Sequence, residues 1–240
     1  MLENELFLNF ALLLACYAYV LCMIFFSGRL SRVPGFSLKI SRKFLHMMIG
    51  NLPFLIPFFS LNSFPLNFPF LVAAPFILLT FLVSPYSHIP GLNEKLKGLS
   101  GITDEGHHFA LVYYAISYTI LALFFSSTPY IIAAGILPMA YGDSLAALIG
   151  ERYGKTNYHV FANKSVEGSL MMLLVSFFSL ECSLLFFAAL YPLDFLNVTI
   201  AALCVAFVAT FAEALSPRGL DNLTVPILGA TAFLFLVGGL

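Results

Sequence analysis

The chain has 240 residues, of which 60% are hydrophobic and only 10% are charged, and its mean hydropathy is +0.96. Soluble domains average about 45–50% apolar and about 25% charged residues, so the soluble globular class is excluded. Only 4 cysteines and ordinary numbers of glycine and proline exclude a disulfide scaffold, collagen and low-complexity disorder. The net charge of −1 gives no indication of a nucleic-acid partner, and none is expected.

Eight apolar segments are candidates for membrane-spanning helices, because a helix needs about 20 mainly apolar residues to cross the hydrocarbon layer. The first is longer than the apolar part of a signal peptide and lacks a basic segment before it, so we expect a retained helix. The second contains Pro53 and Pro57, so we expect it to be kinked or re-entrant, and seven spans are the alternative. The segments are 5–26, 44–60, 67–84, 108–126, 129–149, 168–190, 196–215 and 223–240.

The basic residues test this count, because all 11 fall in alternate connections of the eight-span arrangement. Cytoplasmic loops of membrane proteins carry the excess of lysine and arginine, so these connections are expected on the cytoplasmic side. The fold class predicted is therefore an all-α polytopic integral membrane protein with about eight spans and both termini on the non-cytoplasmic side. The basic residues are Arg29, Arg32, Lys39, Arg42, Lys43, Lys95, Lys97, Arg152, Lys155, Lys164 and Arg218.

No long polar run and no convincing internal repeat divides the chain, so we expect residues 1–240 to form a single transmembrane domain. Ionisable residues inside or at the ends of spans are expensive in lipid and indicate function. Asp143 lies near the inner end of the fifth span, beside a stripe of small residues formed by Gly142, Ala146 and Gly150 that permits close approach of another helix. Alternatively, Asp143 only caps a helix break at Gly142. Glu181 lies further out and is expected to form a hydrogen bond between packed helices.

The segment 150–167 is expected to be a loop, and it contains the densest group of polar residues. Ser165 is placed to cap the helix of the sixth span, with Lys164 before it and Glu167 in its first turn. The exposed N–H groups of a helix N-terminus next to a lysine favour phosphate binding. Gly154-Lys155-Thr156 does not complete a P-loop, because Ile149 stands where that motif needs glycine and no strand precedes it.

A second basic group opens the second span, where helical spacing gathers Arg42 and Lys43 beside His46. The alternative is a polybasic stretch that binds anionic lipid headgroups, an interpretation that suits Arg29, Arg32 and Lys39 better than His46. The segment 103–108 contains two histidines and two carboxylates, but it lacks the spacing of a zinc site, and we expect no zinc there.

One membrane face therefore offers cations, a helix N-terminus and carboxylates at the lipid boundary. Cations and backbone N–H groups bind polyphosphates, and carboxylates bind Mg²⁺ or accept a proton from a hydroxyl group. The combination favours phosphoryl or nucleotidyl transfer to a lipid.

Four blocks of residues, in this order along the chain, resemble the CTP-dependent polyprenol kinase family, which includes dolichol kinase, phytol kinase and the yeast-type diacylglycerol kinase. The third block also looks like a segment of phosphatidate cytidylyltransferases, but the longer signature of that family near its C-terminus is missing. The blocks are Arg42-Lys43-x-x-His46-x-x-x-Gly50, Gly142-Asp143-x-x-Ala146-x-x-x-Gly150-x-x-x-Gly154-Lys155, Lys164-Ser165-x-Glu167-Gly168-Ser169, and Glu213-Ala-Leu followed by Gly219-Leu-Asp221-Asn222-Leu-x-Val-Pro226.

The resemblance implies a kinase that transfers the γ-phosphate of CTP, with Mg²⁺ or another divalent cation, to the hydroxyl of an isoprenoid alcohol or diacylglycerol. It implies that Asp143, Glu167 and Asp221 bind the metal or act as general base, with Asp143 favoured for the metal. His46 and Asn222 would orient phosphate or the acceptor hydroxyl. The residues implied to bind the nucleotide phosphates are Arg42, Lys43, Lys155, Lys164, Ser165, Gly168 and Asn222.

Two alternatives stay open. A CTP:phosphatidate cytidylyltransferase would release pyrophosphate, and a small ion-coupled transporter would require charged residues near the bilayer midplane. The active site is expected to face the cytoplasm, in the plasma membrane of a prokaryote or in the endoplasmic reticulum or another internal membrane of a eukaryote. The sequence does not define the oligomeric state.

Overall fold

The computed structural model describes residues 2–84, 109–217 and 219–238, which belong to two compact units, Met1–Ser127 and Thr128–Leu240. Most of the described residues are helical, in agreement with the predicted all-α membrane class. Lys95, Lys97, Arg218 and the 103–108 segment lie outside the described residues.

The described part of the first unit contains four helices and a small hairpin. Helix α1 packs against α2 and α3, and α3 packs against α4. Strands β1 and β2 pair antiparallel, with Asn62 opposite Asn67. The elements are α1 (Leu2–Leu30), α2 (Leu38–Ile49), β1 (Asn62–Ser63), β2 (Leu66–Asn67), α3 (Phe68–Val83) and α4 (Ala110–Phe125).

The predicted second span is broken. Helix α2 begins at Leu38, six residues earlier than expected, because the side chain of Ser37 accepts the Ile40 N–H at 3.2 Å and caps it. The helix ends at Ile49, and two short 3₁₀ turns follow, Leu52–Phe54 and Ile56–Phe58. A proline lies inside each turn, where its missing N–H prevents continuation of an α-helix. The expected kink from Pro53 and Pro57 is therefore a complete helix break.

The second unit contains the remaining helices and one hairpin. Segment 150–167, expected to be a loop, instead continues as helix to Tyr153 and then forms a hairpin in which Tyr158 lies opposite Lys164. The elements are α5 (Pro129–Leu137), a π-helical turn (Pro138–Asp143), α6 (Ser144–Tyr153), β3 (Asn157–His159), β4 (Asn163–Ser165), α7 (Val166–Ala188), α8 (Phe195–Leu215) and α9 (Asp221–Val237).

Length and composition allow four helical stretches in the described part of the chain to cross a membrane. They are Glu3–Leu30, Pro129–Tyr153, Val166–Ala188 and Phe195–Leu215, and they coincide with predicted spans one, five, six and seven. Three shorter apolar helices, Phe68–Val83, Ala110–Phe125 and Asp221–Val237, coincide with spans three, four and eight. The count of eight spans and the side of the termini stay predictions.

The stripe of small residues does permit close helix packing, and its partner is α7. A Cβ atom added to Gly150 would lie 3.3 Å from the Cα of Gly168, and one added to Gly168 would lie 3.1 Å from the carbonyl oxygen of Ala146. Further along, a Cβ at Gly142 would lie 2.7 Å from the sulfur of Met172. The backbones of α6 and α7 are therefore in contact along two turns. A larger side chain at any of these glycine positions would prevent this contact.

We expect Gly150→Leu to separate α6 from α7 and to lower the free energy of unfolding by about 1–3 kcal/mol, the usual cost of overpacking. Ala147→Leu, on the same helix but not in the stripe, is the matched control and should change it much less. Denaturant titration in detergent micelles measures both values. Equal stability of the two variants would contradict the close packing.

Candidate functional site

The N-terminus of α7 has the cap that the sequence predicts. The Ser165 side chain accepts the Gly168 N–H at 3.1 Å, and both residues are buried. Because this N–H is already bonded and Gly168 also packs against Ala146, these two residues fix the start of the helix in this structure. Their predicted contacts with phosphate stay predictions.

The hairpin is attached to the first turn of α7 by its own polar groups. Both carboxylate oxygens of Glu167 accept the Thr156 N–H, at 3.3 and 3.4 Å, and the Val166 N–H donates to the Thr156 carbonyl at 2.9 Å. The hydroxyl groups of Tyr158 and Ser169 lie 2.6 Å apart. These contacts hold Lys155, which is exposed, next to the helix N-terminus.

Lys164 forms an ion pair that links β4 to the C-terminal end of α8. Its ammonium group lies 2.5 Å from Oε1 of Glu213 and also donates to the Glu213 carbonyl oxygen. The two side chains are only 15% and 9% exposed. Poor solvation strengthens the attraction between the two charges, so Lys164 is held in a fixed position.

Asp221 and Asn222 open α9. Asp221 accepts the Asn222 backbone N–H at 2.9 Å, and the Asn222 side-chain amide donates to the Gly219 carbonyl at 3.1 Å. Asn222 is 5% exposed, and its Oδ1 atom has no hydrogen-bond partner among the described residues. A buried oxygen without a partner is costly, and it has the chemistry of an acceptor or a ligand for a hard cation.

Asp143 is 8% exposed and ends the π-helical turn between α5 and α6. Pro138 has no N–H to bond the carbonyl four residues earlier, which gives a physical reason for the irregular turn at this point. Helix α6 continues directly from Asp143, so the carboxylate does not cap a break at Gly142. Single π-turns within α-helices are frequent at functional sites.

Contacts between helices bring these residues to one end of the second unit. Gly150 lies beside Gly168 at the start of α7, whereas Glu181, further along α7, accepts a hydrogen bond from Thr199 at 3.3 Å, near the start of α8. Helices α7 and α8 are therefore antiparallel, and the 2.6 Å contact between Ser216 and Thr224 turns α9 back beside α8. The expected packing role of Glu181 is confirmed by its bond to Thr199.

The described residues contain no group of three or more His, Cys, Asp or Glu side chains able to hold a metal ion. Asp143, Glu167 and Asp221 thus share one end of the unit without forming such a cluster. Their assignment to metal binding or proton transfer stays a prediction.

The remaining predicted residues belong to the first unit. Lys43 and His46 are 7% and 5% exposed, and Arg42 is half-buried on the same helix. The His46 ring stacks on Tyr114 with 4.4 Å between ring centroids. The burial of Lys43 and His46 on α2 argues against a contact with lipid headgroups only at the surface of the protein.

Sequence reasoning missed two features of the site. Glu213 was recognisable as a carboxylate at the end of a span, but its pairing with Lys164 joins residues 49 positions apart and leaves no local pattern. The hairpin was hidden because its strands have only three residues each. The Thr156 contact with Glu167 depends on that hairpin.

Comparison with known proteins gives three informative relatives. A phytol kinase of Synechocystis sp. is 36% identical over 140 residues, which are 57% of this chain and 58% of that protein. A probable chloroplastic phytol kinase 2 of Oryza sativa subsp. japonica is 29% identical over 226 residues, 92% of this chain and 72% of that protein. The dolichol kinase of Saccharomyces cerevisiae is 31% identical over 145 residues, 59% of this chain and 27% of that protein.

These relatives support the resemblance to the polyprenol kinase family, whereas the resemblance to cytidylyltransferases is not shown by them. The chain spans less than two thirds of the Synechocystis protein in that match. No family profile and no solved structure matches the chain.

The ion pair between Lys164 and Glu213 should contribute to stability as a unit. A double-mutant cycle with Lys164→Met and Glu213→Gln should give a coupling free energy within about 0.5–3 kcal/mol, because each single change leaves the partner poorly solvated. The coupling free energy is measured by unfolding wild type, the two single variants and the double variant in the same detergent. Strictly additive effects would contradict the pairing.

Proposed function

Because the chain is related to the polyprenol kinase family, we propose that it is a lipid-alcohol kinase that transfers the γ-phosphate of CTP to an isoprenoid alcohol of the phytol, farnesol or dolichol type, or to diacylglycerol. CTP as donor is proposed from the sequence resemblance. The basic residues fall in alternate connections between the spans, which supports a reaction at the cytoplasmic face of an integral membrane protein. The proposal does not specify the membrane.

The observation that carries the proposal is the position of Lys164, immediately before the capped N-terminus of α7. An ammonium group has three N–H donors, and the described contacts with Glu213 use two of them. The third donor and the positive end of the helix dipole favour a phosphate oxygen at this place. Lys155, on the hairpin beside the same helix end, is proposed to contact the triphosphate as well.

The residues present fit a divalent cation of the Mg²⁺ type. Mg²⁺ needs only one or two carboxylates when substrate phosphates and water complete its coordination, so a cluster of three acidic side chains is not required. Asp143, Asp221 and the unpartnered Oδ1 of Asn222 are oxygen donors at the same end of the unit. When bound, the ion would neutralise charge on the phosphates.

The proposed step breaks one bond and forms one. The hydroxyl oxygen of the lipid alcohol bonds to the γ-phosphorus, the bond between that phosphorus and the β–γ bridging oxygen breaks, and CDP leaves. A carboxylate accepts the hydroxyl proton, and we assign this role to Asp221, with Asp143 assigned to the metal. Glu167 is proposed to position the hairpin, because its carboxylate already binds Thr156.

Two observations place three residues of α2 in the proposed site, namely their position in the sequence blocks and their full or partial burial. These residues are Arg42, Lys43 and His46. Arg42 and Lys43 are proposed to neutralise phosphate charge, and His46 to orient the acceptor hydroxyl.

Label transfer tests the reaction type. Purified protein is incubated with Mg²⁺, phytol or phosphatidate, and CTP labelled at the γ- or the α-phosphate. A kinase moves label into lipid only from the γ-position. Transfer only from the α-position would identify a cytidylyltransferase, and no transfer from CTP or ATP would leave transport as the function to test.

The carboxylate of Asp143, which is assigned to the metal, should be indispensable for activity. Asp143→Asn keeps the size of the side chain and removes the charge proposed to hold the metal, so we expect phosphoryl transfer to fall about a hundredfold or more. Asp194→Asn, which alters the cap at the opposite end of α8, is the matched control and should retain activity. Initial rates at saturating CTP and phytol compare the variants, and a fully active Asp143→Asn protein would show that the assignment is wrong.

A further inference from the structure

The connection between α1 and α2 is a short hydrogen-bonded turn with a basic surface. The Phe36 N–H donates to the Val33 carbonyl oxygen at 3.1 Å, and Gly35 has a φ of +93°. Proline at the second position and glycine with positive φ at the third define a type II turn, and the chain reads Val33-Pro34-Gly35-Phe36 here. We call residues 29–39 the basic turn.

Three apolar side chains are exposed on the basic turn. Val33, Phe36 and Leu38 are each nearly half exposed. Val33 and Phe36 form the two ends of the type II turn, so their Cα atoms lie within about 7 Å of each other. Adjacent exposed apolar groups are unfavourable in water, whereas the boundary between lipid headgroups and acyl chains accommodates them.

The same segment is strongly basic. Between Glu5 and Glu94 the sequence has five lysine or arginine residues and no carboxylate, and three of the five, Arg29, Arg32 and Lys39, belong to the basic turn. The described part of the first unit has carboxylates only in the first turn of α1. That turn lies about 36 Å from Arg29 at 1.5 Å per residue. These carboxylates are therefore too distant to neutralise the basic turn.

Arg29 places the basic turn at the membrane boundary. Helix α1 is long and apolar enough to cross a membrane, and it ends at Leu30. The Arg29 guanidinium lies over the Phe25 ring, 4.6 Å from its centroid, and Phe25 is more than half exposed on α1. An arginine at the end of a span lays its apolar stem along the helix and keeps its charge at the level of the headgroups.

We propose that the basic turn is a binding surface for anionic phospholipids. Arg29 and Arg32 contact the headgroup phosphates, and Val33 and Phe36 insert among the upper parts of the acyl chains. Charge complementarity selects anionic lipid over zwitterionic lipid, which offers no net charge. An acidic protein would match the charge, but a lipid boundary also matches the apolar side chains and the end of a spanning helix.

This binding surface has a consequence for α2. The helix follows the basic turn directly and packs against α1, so a fixed turn also fixes its first residues at the level of the headgroups. The proposal stands on the fold and the charge distribution, and it does not depend on the kinase function.

Tryptophan fluorescence tests the proposal, because the chain contains no tryptophan. Phe36→Trp introduces one fluorophore into the full chain, which is reconstituted in vesicles of equal amounts of phosphatidylglycerol and phosphatidylcholine. One of the two lipids carries brominated acyl chains, which quench tryptophan at short range. We expect brominated phosphatidylglycerol to quench about threefold more strongly than brominated phosphatidylcholine, because basic residues near the surface attract anionic lipid.

Phe7→Trp is the matched control. Phe7 is exposed on the same helix but follows the two carboxylates of its first turn, so we expect phosphatidylglycerol to quench there no more strongly than phosphatidylcholine. Arg29→Gln and Arg32→Gln, added together to Phe36→Trp, should bring the ratio of the two lipids to about one. High salt should also lower the ratio in Phe36→Trp, because it screens exposed charges.

Equal quenching by the two lipids in Phe36→Trp would overturn the proposal. Absence of quenching by either lipid would overturn it as well, because the basic turn would then lie away from the membrane and bind another partner. A preference that survives the two arginine substitutions would contradict the role given to those side chains. Val33→Trp, at the other end of the turn, repeats the measurement if Phe36→Trp does not fold.

Discussion

The contact between α6 and α7 is the constraint on which the second unit depends. Gly150 and Gly168 bring the two backbones within van der Waals distance, and the cap at Ser165 is built into the same contact. Because apolar side chains gain nothing over lipid by packing together, small residues that allow dense backbone contact are the usual basis of helix association in membranes. The hairpin and Lys164 are positioned as a consequence of this contact.

Three charged residues of the second unit are bonded to particular partners. Lys164 is bonded to Glu213, Glu167 to the hairpin backbone, and Glu181 to Thr199. Ionisable groups near lipid cost several kcal/mol unless they are paired or reach water, so such pairs define where charge is tolerated. Only Asn222, among the polar residues of the site, has a buried oxygen without a partner in the described chain.

Much of the helical arrangement was predictable, because hydrophobic length and proline positions act locally. The spans near Phe68, Pro129 and Phe195 start within one residue of prediction, and the helix break at Pro53 follows from the chemistry of proline. The hairpin and the early start of α2 at Leu38 were not foreseen, since both depend on short polar contacts that hydropathy does not register.

The candidate site was predictable in composition but only partly in geometry. The blocks around Asp143, Lys164 and Asp221 supplied the candidate residues, and helix directions bring them to one end of the unit. The ion pair with Glu213 and the unpartnered oxygen of Asn222 required the fold, because both arise from residues that meet only after the helices pack.

Equilibrium binding of a non-hydrolysable CTP analogue, in the presence of Mg²⁺, tests the central claim that the end of the unit at Lys164 binds the nucleotide. We expect Lys164→Ala to weaken binding about tenfold or more, corresponding to about 1.4 kcal/mol. Lys39→Ala, which removes another basic residue outside the proposed site, should bind as wild type does. Equal affinity of Lys164→Ala and wild type would contradict the account.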